Sequence, residues 1–123
     1  MVSLDEMEEM LNEIVATFPK ALFNKLNGGI ILLPEVKRNP KGKRNDLYIL
    51  GQYHFGGGMG RYISIYYGSF NRVYGYLDKE GLRDRLIDTL KHEFIHHLES
   101  LAGERDLEIE DQENMARYLR DAD

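Results

Sequence analysis

The chain has 123 residues, 42% of them hydrophobic, which suffices for one hydrophobic core and not for two, so a single domain spanning 1–123 is expected. Its 16 Lys and Arg against 21 Asp and Glu leave a net charge of −5, which argues against nucleic acid or an anionic membrane surface as partner. There is no cysteine, and this excludes disulfides, thiolate nucleophiles and thiolate zinc sites together, leaving His and carboxylates as the metal ligands available.

The first residues, Met1-Val2-Ser3-Leu4-Asp5-Glu6, are acidic and run straight into a helix, without the basic and apolar regions of a signal peptide. No apolar run approaches transmembrane length, so the expected location is cytoplasmic. Ser3 followed three residues later by Glu6 is a capping box, and Leu4, Met7, Leu11, Ile14, Val15 and Phe18 form one apolar stripe that stops at Pro19. A short second helix is predicted from about Lys20 to Leu26. Asn27-Gly28-Gly29 then turns the chain into Ile30-Ile31-Leu32-Leu33, a continuous apolar run that predicts a strand interior to a sheet. Asn39 to Asp46 is a basic, turn-rich loop, the segment expected to be mobile.

Two further strands are predicted, Leu47 to His54 and Arg61 to Tyr67, the second with Ile63, Ile65 and Tyr67 alternating against Tyr62, Ser64 and Tyr66. Gly56-Gly57-Gly58-Met59-Gly60 between them is a hairpin tip and not a phosphate loop, because a strand follows it where a phosphate loop needs a helix N-terminus. The eight tyrosines are mostly sheet surface and core, although one on a strand beside the last long helix could support an oxyanion.

From Asp78, a predicted N-cap, to Ala102 there is no proline, and Leu82, Leu86, Leu90, Phe94, Leu98 and Leu101 recur at helical spacing before Gly103. This helix carries His92-Glu93-Phe94-Ile95-His96-His97, an H-E-x-x-H pattern. Residues four apart share a helix face, so His92 and His96 can converge on one metal ion while Glu93 points at a water on that ion. They fall opposite the leucine stripe with Arg85, Asp88, Thr89 and Glu99, and Glu93 lies at the border, clear of the aliphatic packing. His97 falls on the packed side and reads as a buried, hydrogen-bonded histidine rather than a ligand. Asp111 to Leu119 reads as a short capping helix.

The order of helix, strands and H-E-x-x-H helix resembles the small bacterial zincin-like metallopeptidase domains, or mini-zincins, over most of the chain. Arg61 to Phe70 is similar to the strand and turn that precede their metal helix, and the doubled His96-His97 is shared. The resemblance implies an α+β fold: a small mixed or antiparallel sheet against N-terminal helices and a long metal helix, closed by a short C-terminal one. It also implies a Zn2+ cofactor held by His92, His96 and a downstream acid, with Glu93 as general base for hydrolysis of a peptide or protein substrate through a zinc-activated water.

The family pattern continues H-E-x-x-H-x-x-G-x-x-D, whereas this chain has Glu99 at the glycine position and repeats Gly-x-x-Asp one turn later as Gly103-Glu104-Arg105-Asp106. A metal level with residue 94 lies about 13 Å along the axis from Gly103, and three extended residues return about 10 Å, so Asp106 just reaches. Asp106 is the first choice of third ligand; Asp111, Glu108 and Glu99 are the alternatives. Glu99 lies beyond His96 from the metal and is better placed to orient an imidazole. Two other readings remain open: a degenerate zincin that binds metal or protein without turnover, and a metal-independent interaction domain.

Overall fold

The computed structural model describes residues 2–42, 47–103 and 109–121, with the side chains of 109–112 and 121 excepted. The fold is α+β, and among the described residues a three-stranded mixed sheet sits among four α-helices. Helix α1, Leu4–Thr17, opens with the expected capping box: the Ser3 hydroxyl accepts from the Glu6 amide and the Glu6 carboxylate from the Ser3 amide. Two orphan donors are satisfied there, so the helix starts at a defined residue and buries Met7, Met10, Leu11 and Ile14.

The second predicted helix is only a 3-10 turn, Lys20–Phe23. Asn24 leaves the helical region (ψ 126°) and so stops the turn, Lys25 after it is left-handed (φ 62°), and Leu22 and Leu26 are still buried. Strand β1, Gly29–Leu33, pairs in parallel with the later strand β3, Gly60–Tyr66, and β2, Gly51–Gly57, pairs with β3 antiparallel. The strand order β1-β3-β2 corrects the expectation for Ile30 to Leu33: β1 is an edge strand, and β3 is central. A continuous apolar run reports that both faces of a strand are covered, and says nothing about how many strands flank it.

Strand β2 begins later than predicted because the chain before it pairs elsewhere. Tyr48 bridges Arg38, Asn39 N–H donates to the Leu47 carbonyl at 2.7 Å and Ile49 N–H to the Lys37 carbonyl at 2.8 Å. Residues 43–46 of the predicted loop lie outside the described residues. The glycine tip is a hairpin, with Gly57 opposite Gly60 and positive φ at Gly56 (85°) and Gly60 (71°), where a side chain would be strained.

Tyr67, expected in the strand, instead begins helix α2, Tyr67–Tyr74. Its residues are mostly poor helix formers, and tertiary contacts override that preference. Phe70 and Ser69 are fully buried, the Ser69 hydroxyl accepts from the Lys37 amide at 2.8 Å, and Gly68 lies so close to Glu35 that a Cβ would sit 2.7 Å from its backbone.

Helix α3, Lys79–Gly103, starts as predicted: the Asp78 carboxylate accepts from the Gly81 amide at 2.8 Å. Its stripe of Leu82, Leu86, Leu90, Phe94 and Leu98 enters one core with α1, with Ile63 and Ile65 of β3, and with Leu119 of helix α4, Ile109–Asp121. Among the described residues no helix is long and apolar enough to cross a membrane.

Candidate metal centre

The polar face of α3 is laid out as its periodicity demands. His92 and His96 are exposed, one turn apart, and their Nε2 atoms face each other at 3.2 Å. Two nitrogens bound at about 2.0–2.1 Å to one tetrahedral zinc stand about 3.3–3.4 Å apart, so this pair already has the spacing of two ligands. Glu99 Oε1 lies 3.2 Å from His96 Nδ1. A carboxylate accepts only, so Nδ1 of His96 carries the hydrogen and the neutral ring turns its Nε2 lone pair towards His92 Nε2. Glu99 thus sits on the far nitrogen of His96, away from the point where the two imidazoles converge.

Glu93 departs from its expected place at an open border: it is buried, with only 5% of its surface exposed. The helix wheel puts it there correctly, but strand β2 closes over it. Burial raises the Glu93 carboxyl above the ordinary carboxylate range, opposed by the neighbouring His92 and His96 and by the backbone amide of Tyr53, which donates to it. His97 is buried as predicted, with Nε2 2.9 Å from the Asn24 carbonyl and Nδ1 2.8 Å from the Tyr53 hydroxyl; burial lowers its pKa.

A cleft of about 720 Å³ runs between β2 and α3, lined by Gly51, Gln52, Tyr53 and Phe55 on one side and by His92, Glu93, His96 and Glu99 on the other. It continues past His92 into a space of about 500 Å³ lined by Tyr48, Ile49, Thr89 and Lys41. Tyr53 is the tyrosine that lines this cleft, but its hydroxyl is engaged with His97. On the reverse face of the sheet a separate polar chain links His54, Ser64, Tyr66 and Gln52 at 2.8–3.1 Å and ties β2 to β3.

Asp106 and Glu108 lie outside the described residues, as does the side chain of Asp111. Among the described residues no group of three or more His, Cys, Asp or Glu is arranged to hold a metal ion. The described donor set is therefore His92 and His96, with Glu93 beside them.

Gly51 is a site residue that sequence reasoning passed over. A Cβ there would lie 2.9 Å from Thr89 Cγ2, 3.1 Å from Ile65 Cδ1 and 3.4 Å from Glu93 Cγ, so only glycine lets β2 approach α3 this closely. The available signal was an isolated glycine inside the predicted strand Leu47 to His54, which marks a close backbone approach. Gly51→Ala is expected to cost about 1–3 kcal/mol through overpacking. Thr89→Ser in the same chain, which removes the nearest methyl, should recover part of that loss; urea unfolding of both variants measures it, and no recovery would show that Thr89 is not the obstacle.

The sequence matches no family model and no curated protein. The fold is similar to that of a conserved hypothetical protein from Thermus thermophilus, with a TM-score of 0.72 and 30% sequence identity over 83% of this chain and 99% of that one. Identity at that level across nearly the whole Thermus protein, with the fold preserved, places the chain in the same family as that conserved hypothetical protein.

Proposed function

We propose that this chain is a zinc-dependent peptidase of the zincin kind, with His92 and His96 as metal ligands, Asp106 as the third and Glu93 as general base. The observation that carries the reading is the pair of Nε2 atoms 3.2 Å apart, facing the same cleft as a buried glutamate. Zinc held there would polarise a substrate carbonyl and bring the pKa of a bound water towards 7.

The chain's own residues supply the rest. Glu93, its basicity increased by burial, takes a proton from the attacking water and passes it to the leaving amine. Glu99 holds the His96 ring in the tautomer that offers Nε2. Strand β2 is a sheet edge, paired only with β3 among the described strands; its other side packs on α3 at Gly51, meets Glu93 at the Tyr53 amide and borders the cleft, along which an extended peptide can lie beside the strand. The substrate proposed is therefore a peptide or protein segment in extended conformation.

The deciding experiment is a melting series of metal-free protein with added zinc, followed by cleavage of a mixed peptide library read by mass spectrometry. At zinc one hundredfold above Kd the native state gains about 2.7 kcal/mol, a rise of roughly 10 °C, and His96→Ala should erase it. A wild-type protein that melts identically with and without zinc would refute the metal centre and leave the interaction domain. Zinc stabilisation without cleavage of any peptide would leave the metal-binding module.

A further inference from the structure

We propose that Tyr53 is a positioning residue: it clamps the edge strand β2 onto α3 through His97 and, from the same residue, holds the Glu93 carboxylate. The catalytic half of this inference rests on the proposed peptidase function; the structural half does not.

Three bonds converge on this residue pair. The Tyr53 phenol lies 2.8 Å from His97 Nδ1, with the two rings 5.3 Å apart, and His97 Nε2 lies 2.9 Å from the Asn24 carbonyl. A carbonyl can only accept, so Nε2 carries the hydrogen, and the phenol is the donor to Nδ1. His97 is fully buried and thereby pinned between the turn after α1 and strand β2. Glu93 and His97 are one turn apart on α3, so they meet the same stretch of β2. The backbone amide of Tyr53 donates to the Glu93 carboxylate.

The geometry has a mechanical consequence. As an edge strand, β2 has ladder bonds only from β3 among the described strands, and Gly51 sets how near it comes to α3 without fixing where it stops. The phenol supplies that stop. Because the residue-53 amide also meets the Glu93 carboxylate, the place of that carboxylate beside the cleft follows the strand. A shift of the strand by about 1 Å would carry the carboxylate with it, and misplacement on that scale costs on the order of a hundredfold in rate.

Tyr53→Phe tests this, because it removes the hydroxyl and keeps the ring, the Phe55 stacking and the backbone amide. Hydrogen exchange of the residue-53 amide, measured by NMR on metal-free protein, is expected to become at least about tenfold faster. On the peptide cleaved by wild type, kcat is expected to fall about 10- to 100-fold with KM within about threefold, while the Kd for zinc alone stays within about twofold. His97→Gln, whose amide can accept from the phenol and donate to Asn24, should retain more of kcat than His97→Leu. Unchanged exchange at residue 53 would overturn the clamp, whether or not any peptide is cleaved. Unchanged kcat in Tyr53→Phe, or losses of kcat and zinc affinity in step, would overturn the positioning role. Absence of cleavage by wild type would instead count against the peptidase reading, with the exchange result still deciding the clamp.

Discussion

Glu93→Gln is expected to bind zinc within about threefold of wild type and to lose peptide cleavage by about 10²- to 10⁴-fold, the range of a general base. The amide is close in shape to the carboxylate and can still accept from the Tyr53 amide, so the packing under β2 is retained while proton transfer is removed. The stability of the metal-free protein should move the opposite way from activity. Burial raises the folded-state pKa of Glu93 above its unfolded value of 4.5, so between those two values the native chain holds the proton more tightly than the unfolded one. The stability of the metal-free wild type therefore falls as pH rises from the unfolded value through the folded one, and Glu93→Gln removes that loss. Metal-free Glu93→Gln should accordingly melt higher than wild type at about pH 7, with the gap closing near pH 4. Melting curves across that range, together with zinc titration and peptide turnover, check both halves. Retained turnover would remove Glu93 from the mechanism, and an apo variant that melts lower would show that its buried carboxylate is not costly.

Phe94→Ala is expected to destabilise the protein by about 3–5 kcal/mol, the cost of removing a buried aromatic ring and leaving a cavity. Phe94 has no exposed surface, and its ring centroid lies 5.6 Å from Phe18 and 5.2 Å from Phe23, with the buried His97 at 6.4 Å. It sits between Glu93 and His96 in sequence and faces the other way, so it is the anchor that turns the metal-binding face outward. Against a total stability of about 5–15 kcal/mol the loss is a large share, and the melting temperature should drop by roughly 12–19 °C. Urea unfolding gives the number directly. A loss under about 1 kcal/mol would mean that α3 is seated by its leucines alone.

The residues of the candidate site divide by the kind of information that placed them. Helical spacing put His92 and His96 on one face and His97 on the other, because side-chain direction in a helix follows from sequence separation alone. Ser3 with Glu6, and Asp78 before α3, marked helix starts for the same reason: a cap bonds to amides three residues away. The hairpin at Gly56 to Gly60 was legible because a tight turn needs positive φ where the glycines stand.

What lay outside the sequence pattern depends on residues far apart along the chain. Glu93 reads as a border residue on its own helix and becomes buried only because Tyr53, from a distant strand, arrives over it. The approach requires Gly51, whose reason for being glycine lies at Thr89 and Ile65. Strand β1 was predicted interior from its apolarity, which reflects coverage of its faces, while its place at the edge follows from which strands pair with β3. Helix α2 forms against local preference because Phe70 and Ser69 find buried partners. Periodicity and caps act within a few residues and are written in the sequence; strand pairing, close backbone approach and the desolvation of a carboxylate are set by neighbours in space, and only the tertiary structure decides them.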